Sequence, residues 1–177
     1  MKRRALLSVS SAAALLMAGC AQDPAQSYLW GFGDPVRGAA LNATRLLGNT
    51  ARWDGDPAGA AIAAAQLEFL ARSFRESPIW SVRANPATTQ QLQKAVVQMR
   101  NAIGISLTAS NAEVERRLRQ ASEALRAGSQ ARALAALSGP PFTLPAQEVL
   151  RRLGSLPQLD QVAIAAGMVN NEVLSGP

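Results

Sequence analysis

From residue 34 onward, apolar positions recur at helical spacing, and no stretch alternates as a half-buried strand does. Val36, Ala40, Ala43 and Leu47 fall at i, i+4, i+7 and i+11, on a helix opened by Asp34 as N-cap and Pro35 at its first position. Gly48 supplies its stop. The same device at Asp56-Pro57 predicts the longest helix, to about Arg75. Its first half, Pro57 to Leu67, carries no charge and is mostly alanine, while Leu67, Phe69, Leu70 and Phe74 bring bulk to the second. A helix apolar on all sides is normally buried, so residues 57–75 are expected to form the central helix.

Leu92, Val96, Met99 and Ile103 mark a third helix, from about Ala87 to Ile103, ended by Gly104. Ser110-Asn111-Ala112-Glu113 is a capping box opening a fourth, whose narrow stripe of Val114, Leu118, Ala121 and Leu125 predicts a surface helix. Gly128 breaks it. A short helix from Gln130 to Leu137 follows, with Ala131, Leu134 and Leu137 expected inward. The segment Leu118 to Leu137 looks like one helix–turn–helix unit of a tetratricopeptide repeat, but no second copy follows at that family's period, so an ordinary helical hairpin is expected. Pro145 starts a short helix with Val149, Leu150 and Leu153 apolar, and Pro157 a last one to about Val173. That last helix shares the Ala- and Gly-rich composition of the central one, and the two are expected to pack together. The connector 76–87 is expected to lie across the bundle through Ile79, Trp80 and Val82. The fold class is all-α: a compact helical bundle of about six to seven helices.

The chain's start follows a different rule. Lys2, Arg3 and Arg4 lead into an uncharged run from Ala5 to Gly19, which stops at Leu16-Met17-Ala18-Gly19-Cys20. A basic end, a short apolar core and small residues form an export signal. Fifteen uncharged residues rise about 22 Å as a helix, short of the roughly 30 Å of a hydrocarbon core. The run closing on Cys20, the chain's one cysteine, resembles the lipobox of bacterial lipoprotein precursors, with Met17 where that pattern more often has leucine. The resemblance implies cleavage before Cys20 and lipid attachment to it, with more than one acyl chain, as stable anchoring needs. It also implies the outer membrane, facing the periplasm, because Ala21 rather than aspartate follows Cys20. The chain then divides into residues 1–19 as cleaved signal, 20–33 as lipidated cysteine and tether, and 34–177 as one helical domain.

Composition narrows the chemistry. With no histidine and one cysteine, a Ser-His-Asp triad, a histidine-ligated zinc site and an internal disulfide have no residues to build them. Lys2, Arg3 and Arg4 account for half of the net charge of +6. The remaining arginines are answered by acids four residues before them, at Glu68/Arg72, Glu113/Arg117, Glu115/Arg119 and Glu148/Arg152, the favourable order on a helix. That pattern describes solvated helix faces and not a nucleic-acid surface, which leaves arginines unpaired among aromatics. Asp54-Gly55-Asp56 lacks further oxygen ligands at loop spacing, and Asp56 is already a cap, so no metal is expected there.

Two sets of residues stand out. Tyr28, Trp30 and Phe32, with Leu29, form an aromatic cluster in the tether that either folds onto the body or rests at a bilayer interface or partner. Glu68, on the apolar central helix, is the most suggestive carboxylate; its plain role is partner to Arg72. No cofactor is expected and catalysis is not. The expected role is that of an accessory or interaction protein of a cell-envelope assembly, anchored through Cys20 and bound to an envelope protein. The alternative is a small-ligand or lipid binder with a cavity between helices.

Overall fold

The computed structural model describes residues 33–175, and within them the chain is all-α. The elements are α1 (Pro35–Leu41), α2 (Ala43–Leu47), a 3-10 turn (Thr50–Trp53), α3 (Pro57–Glu76), α4 (Trp80–Arg83), α5 (Pro86–Ile103), α6 (Asn111–Arg126), α7 (Gln130–Ala136), α8 (Ala146–Leu153) and α9 (Asp160–Ser175). The expected first helix is broken at Asn42, and the 76–87 connector contains the single turn α4, so the described helices exceed the expected number.

The helix starts follow their capping chemistry. Asp34 accepts from the Val36 N–H at 2.9 Å, Asp56 from Gly59 at 2.8 Å, Asn85 from Ala87 at 2.9 Å and Ser110 from Glu113 at 3.3 Å. Each satisfies one amide that the first helical turn leaves orphaned. The Ser110 box is half formed, because the Glu113 carboxylate turns to Arg116. α5 ends in Gly104 at φ +91°, a left-handed turn that favours glycine.

α3 is the central helix. Its alanines 60, 61, 63, 64 and 65, with Leu67 and Leu70, are fully buried. Its main partner is α6, the helix expected to lie at the surface. Val114, Leu118, Ala121 and Ala124 of α6 are buried, and Ser122 donates to the Ala58 carbonyl at 2.9 Å. A side-chain-to-backbone bond between helices requires close approach, which the alanine surface of α3 permits. α6 and α7 form the expected hairpin, although Ala133, Ala136 and Leu137 face inward and Ala131 is exposed.

The expected pairing of α3 with α9 is not observed. α9 packs on α5 and on α1 and α2 instead. It also starts three residues later than Pro157 suggested. The buried Thr50 hydroxyl donates to the Pro157 carbonyl at 2.6 Å and accepts from the Leu159 N–H at 2.9 Å. Those two bonds hold residues 157–159 as a strap across the 3-10 turn and delay the helix to Asp160. In the connector, Trp80 stacks on Phe74 with ring centroids 5.4 Å apart and its indole N–H donates to Asp34. Ile79 and Val82 do not lie across the bundle: they are 54% and 83% exposed. Among the described residues, no helix is long and apolar enough to cross a membrane.

Candidate functional site

Two polar features sit on α3, two residues apart. The first is built on Glu68, which is 1% exposed. Its partner is not Arg72, four residues on, but Arg100 of α5. Arg100 Nε donates to Glu68 Oε1 at 2.8 Å and Nη2 to Oε2 at 2.7 Å, a two-pronged pair; Asn111 Nδ2 at the start of α6 adds a third bond at 2.8 Å. The remaining nitrogen of Arg100, Nη1, donates to the carbonyls of Ser106, Leu107 and Ala109 at 3.0, 3.3 and 2.8 Å. Arg100 thereby shapes the loop between α5 and α6.

Burial pushes the Glu68 carboxyl above its ordinary 4.5, while Arg100 and Asn111 pull it down and Glu115 adds to the rise. A raised carboxyl in a dry pocket is the usual mark of a general acid. Here both carboxylate oxygens and all three guanidinium nitrogens are engaged in hydrogen bonds within the fold. The hub is therefore a structural joint linking α3, α5 and α6. Arg72, freed from Glu68, pairs with Glu115 at 3.0 Å, and Glu115 also accepts from Arg119 at 3.1 Å.

The second feature is a cleft of about 230 Å³ between α1, α2, the 3-10 turn, α3 and α6. Ala39, Leu46, Ile62 and Trp53 supply its apolar wall; Arg45, Arg119 and Arg126 stand on its rim, with Asn42 between α1 and α2. Trp53 is fixed by its indole N–H, which donates to the Leu46 carbonyl at 2.9 Å, and by Arg52, whose guanidinium lies 4.9 Å from the ring centre. The ring lies directly against Gly59, where any Cβ would collide with it. At the base of the cleft is Gln66, 7% exposed, and its amide makes no hydrogen bond with any described residue. Among the described residues, no acidic side chain lines the cleft.

Sequence reasoning missed this second feature. Gln66 is the single polar residue in the run from Pro57 to Leu67, and that was the signal. Cys20, Tyr28, Trp30 and Phe32, the residues singled out from sequence for lipid attachment and for membrane or partner contact, lie outside the described residues. Asp54 and Asp56 belong to the turn before α3, and Asp56 caps that helix as expected. Among the described residues no three ligating side chains gather at metal-binding distance.

Comparison with protein-family models, with curated protein sequences and with solved structures gives no match. The functional reading accordingly rests on the chain's own chemistry.

Proposed function

We propose that the protein is a lipid-anchored accessory protein of a cell-envelope assembly. Cys20 carries the lipid, residues 21–33 set the distance, and the helical body faces the periplasm, in a two-membrane envelope from the outer membrane. The observation that carries this reading is the Lys2-to-Cys20 run, in which charge, length, small residues and cysteine agree. The body supports it in two ways. Its buried Glu68–Arg100 pair is engaged in bonds that join α3, α5 and α6, as suits a scaffold. Its exposed Ile79 and Val82 stand on the turn whose Trp80 binds Asp34, beside the point where the tether enters. An apolar spot there is positioned for contact with an envelope partner.

In-cell crosslinking of the tagged protein, with Cys20→Ala beside it, tests the reading. One recurrent envelope protein that is lost or reduced with Cys20→Ala is the expected result. A Cys20→Ala form that stays membrane-bound and keeps the same neighbours would overturn it.

A second reading, ligand binding, is favoured by one observation: the Gln66 side chain lining the cleft makes no hydrogen bond with any described residue. The core alanines themselves are closed, so the binding volume is this peripheral cleft and not a central cavity.

A further inference from the structure

We infer that the cleft over Gln66 is a binding site for a small organic acid, a carboxylate carried on an apolar body. The inference deepens the ligand-binding reading and is independent of the anchor.

Three properties of the cleft select that chemistry. First, the Gln66 amide offers two N–H donors and a carbonyl acceptor. The residue is 7% exposed and lines the cleft, so these groups open onto the cleft, where a ligand can take them up. Second, the rim is cationic. Arg45 and Arg126 make no ion pair among the described residues, while Arg119 pairs with Glu115. Guanidinium groups suit carboxylates in particular, through their fork of donors. Third, the wall between rim and floor is apolar and rigid. Trp53 is held from two sides and seated on Gly59, and Ala39 and Leu46 belong to helices packed on the core. A wall of this kind serves an alkyl or aryl group and does little for a bare inorganic anion.

The volume sets the size. About 230 Å³ suits a compact acid and excludes a whole diacyl lipid. The acid group sits toward Arg45 and Arg126, the apolar body lies along Trp53 and Leu46, and a second polar atom of the ligand reaches Gln66.

The test is an NMR titration of the full chain with hexanoate, following the Trp53 indole and Gln66 side-chain amide signals, with acetate, hexanol and inorganic phosphate as comparison probes. Hexanoate is expected to saturate these signals below about 10 mM, and acetate, hexanol and phosphate to bind at least tenfold more weakly. Arg45→Ala/Arg126→Ala is expected to weaken hexanoate by roughly tenfold and to flatten the salt dependence, since exposed charges are screened by salt. Gln66→Leu is expected to fold, because leucine suits the site in size, and to lose affinity. Absence of saturable shifts with hexanoate overturns the inference, as does equal binding of hexanoate and hexanol, or of hexanoate and phosphate. An unchanged affinity in Gln66→Leu removes Gln66 from the site and overturns it as well. None of these failures bears on the Cys20 crosslinking result, so the two readings fail separately.

Discussion

Glu68 and Gln66 stand two residues apart on the same helix, and residues at that spacing point to different sides of it. Both are polar and nearly buried, yet their surroundings are opposite. Glu68 is held by Arg100 and Asn111, with both of its oxygens hydrogen-bonded. Gln66 faces an open cleft under a rim of arginines, with its amide unmatched. The contrast separates two uses of a buried polar group. A buried group bonded within the fold makes a joint; one that opens onto a cleft keeps its donors and acceptor available, as the proposed site requires. By charge and by raised pKa, Glu68 looks more like a functional residue, yet the proposed binding site is built on Gln66.

Breaking the joint is expected to have the largest effect. Arg100→Met leaves the Glu68 carboxylate buried without its cation, a change worth about 3–5 kcal/mol. It also releases the three loop carbonyls. Chemical denaturation should show the loss, and Glu68→Leu/Arg100→Met should recover most of it, because replacing both partners removes the stranded charge. A double variant as unstable as Arg100→Met alone would contradict the view of Glu68 as merely a matched partner.

The same joint has a pH signature. The Glu68 pKa is raised above its ordinary 4.5, so the folded form holds this proton more tightly than the unfolded chain. Its contribution to stability is full below 4.5 and is lost as pH rises through the folded value. Glu68→Gln should remove that slope when stability is followed upward from pH 4.5.

The wall of the cleft comes next. Gly59→Ala places a methyl group against the Trp53 ring, and inserting a methylene into a packed site costs about 1–3 kcal/mol. The Trp53 indole signal should move, and hexanoate affinity should fall with it. Gln66→Leu works in the other direction. Removing an unpaired amide should leave stability unchanged or raise it by less than about 1 kcal/mol, while abolishing binding. Stability gained where function is lost is the expected exchange at a binding site.

The smallest effect belongs to the surface. Arg151 and Arg152 both reach Glu148, on the first turn of α8, and their hydrogen bonds lower its carboxyl to about 2. A carboxylate with a depressed pKa stabilises above 4.5 and loses that contribution as pH falls toward 2. In Arg151→Gln/Arg152→Gln the Glu148 carboxyl, followed by NMR, should titrate near 4.5 with little change in stability at neutral pH.

The helix starts were legible because their signals are local. Asp34-Pro35, Asp56-Pro57 and Ser110 need only their own next few residues to cap a turn. Gly104 likewise announced the end of α5. Pairings across the fold were not legible. Glu68 has an arginine four residues away in Arg72, which is the local answer, and its actual partner is 32 residues away; Arg72 in turn joins Glu115, 43 residues away. Composition misled over α9 for the same reason: many alanines allow close packing without naming the partner. Gly167 of α9 has nothing within 4 Å of where its Cβ would stand, whereas on α3 Gly59 lies against Trp53 and Ala58 takes a bond from Ser122. The cleft was hidden because it needs the break at Asn42, the 3-10 turn and α6 to meet around a single glutamine.

The contrast between joint and cleft is tested most directly by hexanoate-induced change in melting temperature, measured side by side on the native protein, Gln66→Leu and Glu68→Gln. A ligand that binds only the folded state raises its stability in proportion to its affinity. The account predicts that the native protein and Glu68→Gln shift upward together, whatever their starting temperatures, and that Gln66→Leu does not shift. A full shift in Gln66→Leu, with none in Glu68→Gln, would exchange the roles assigned to the two residues and contradict the account.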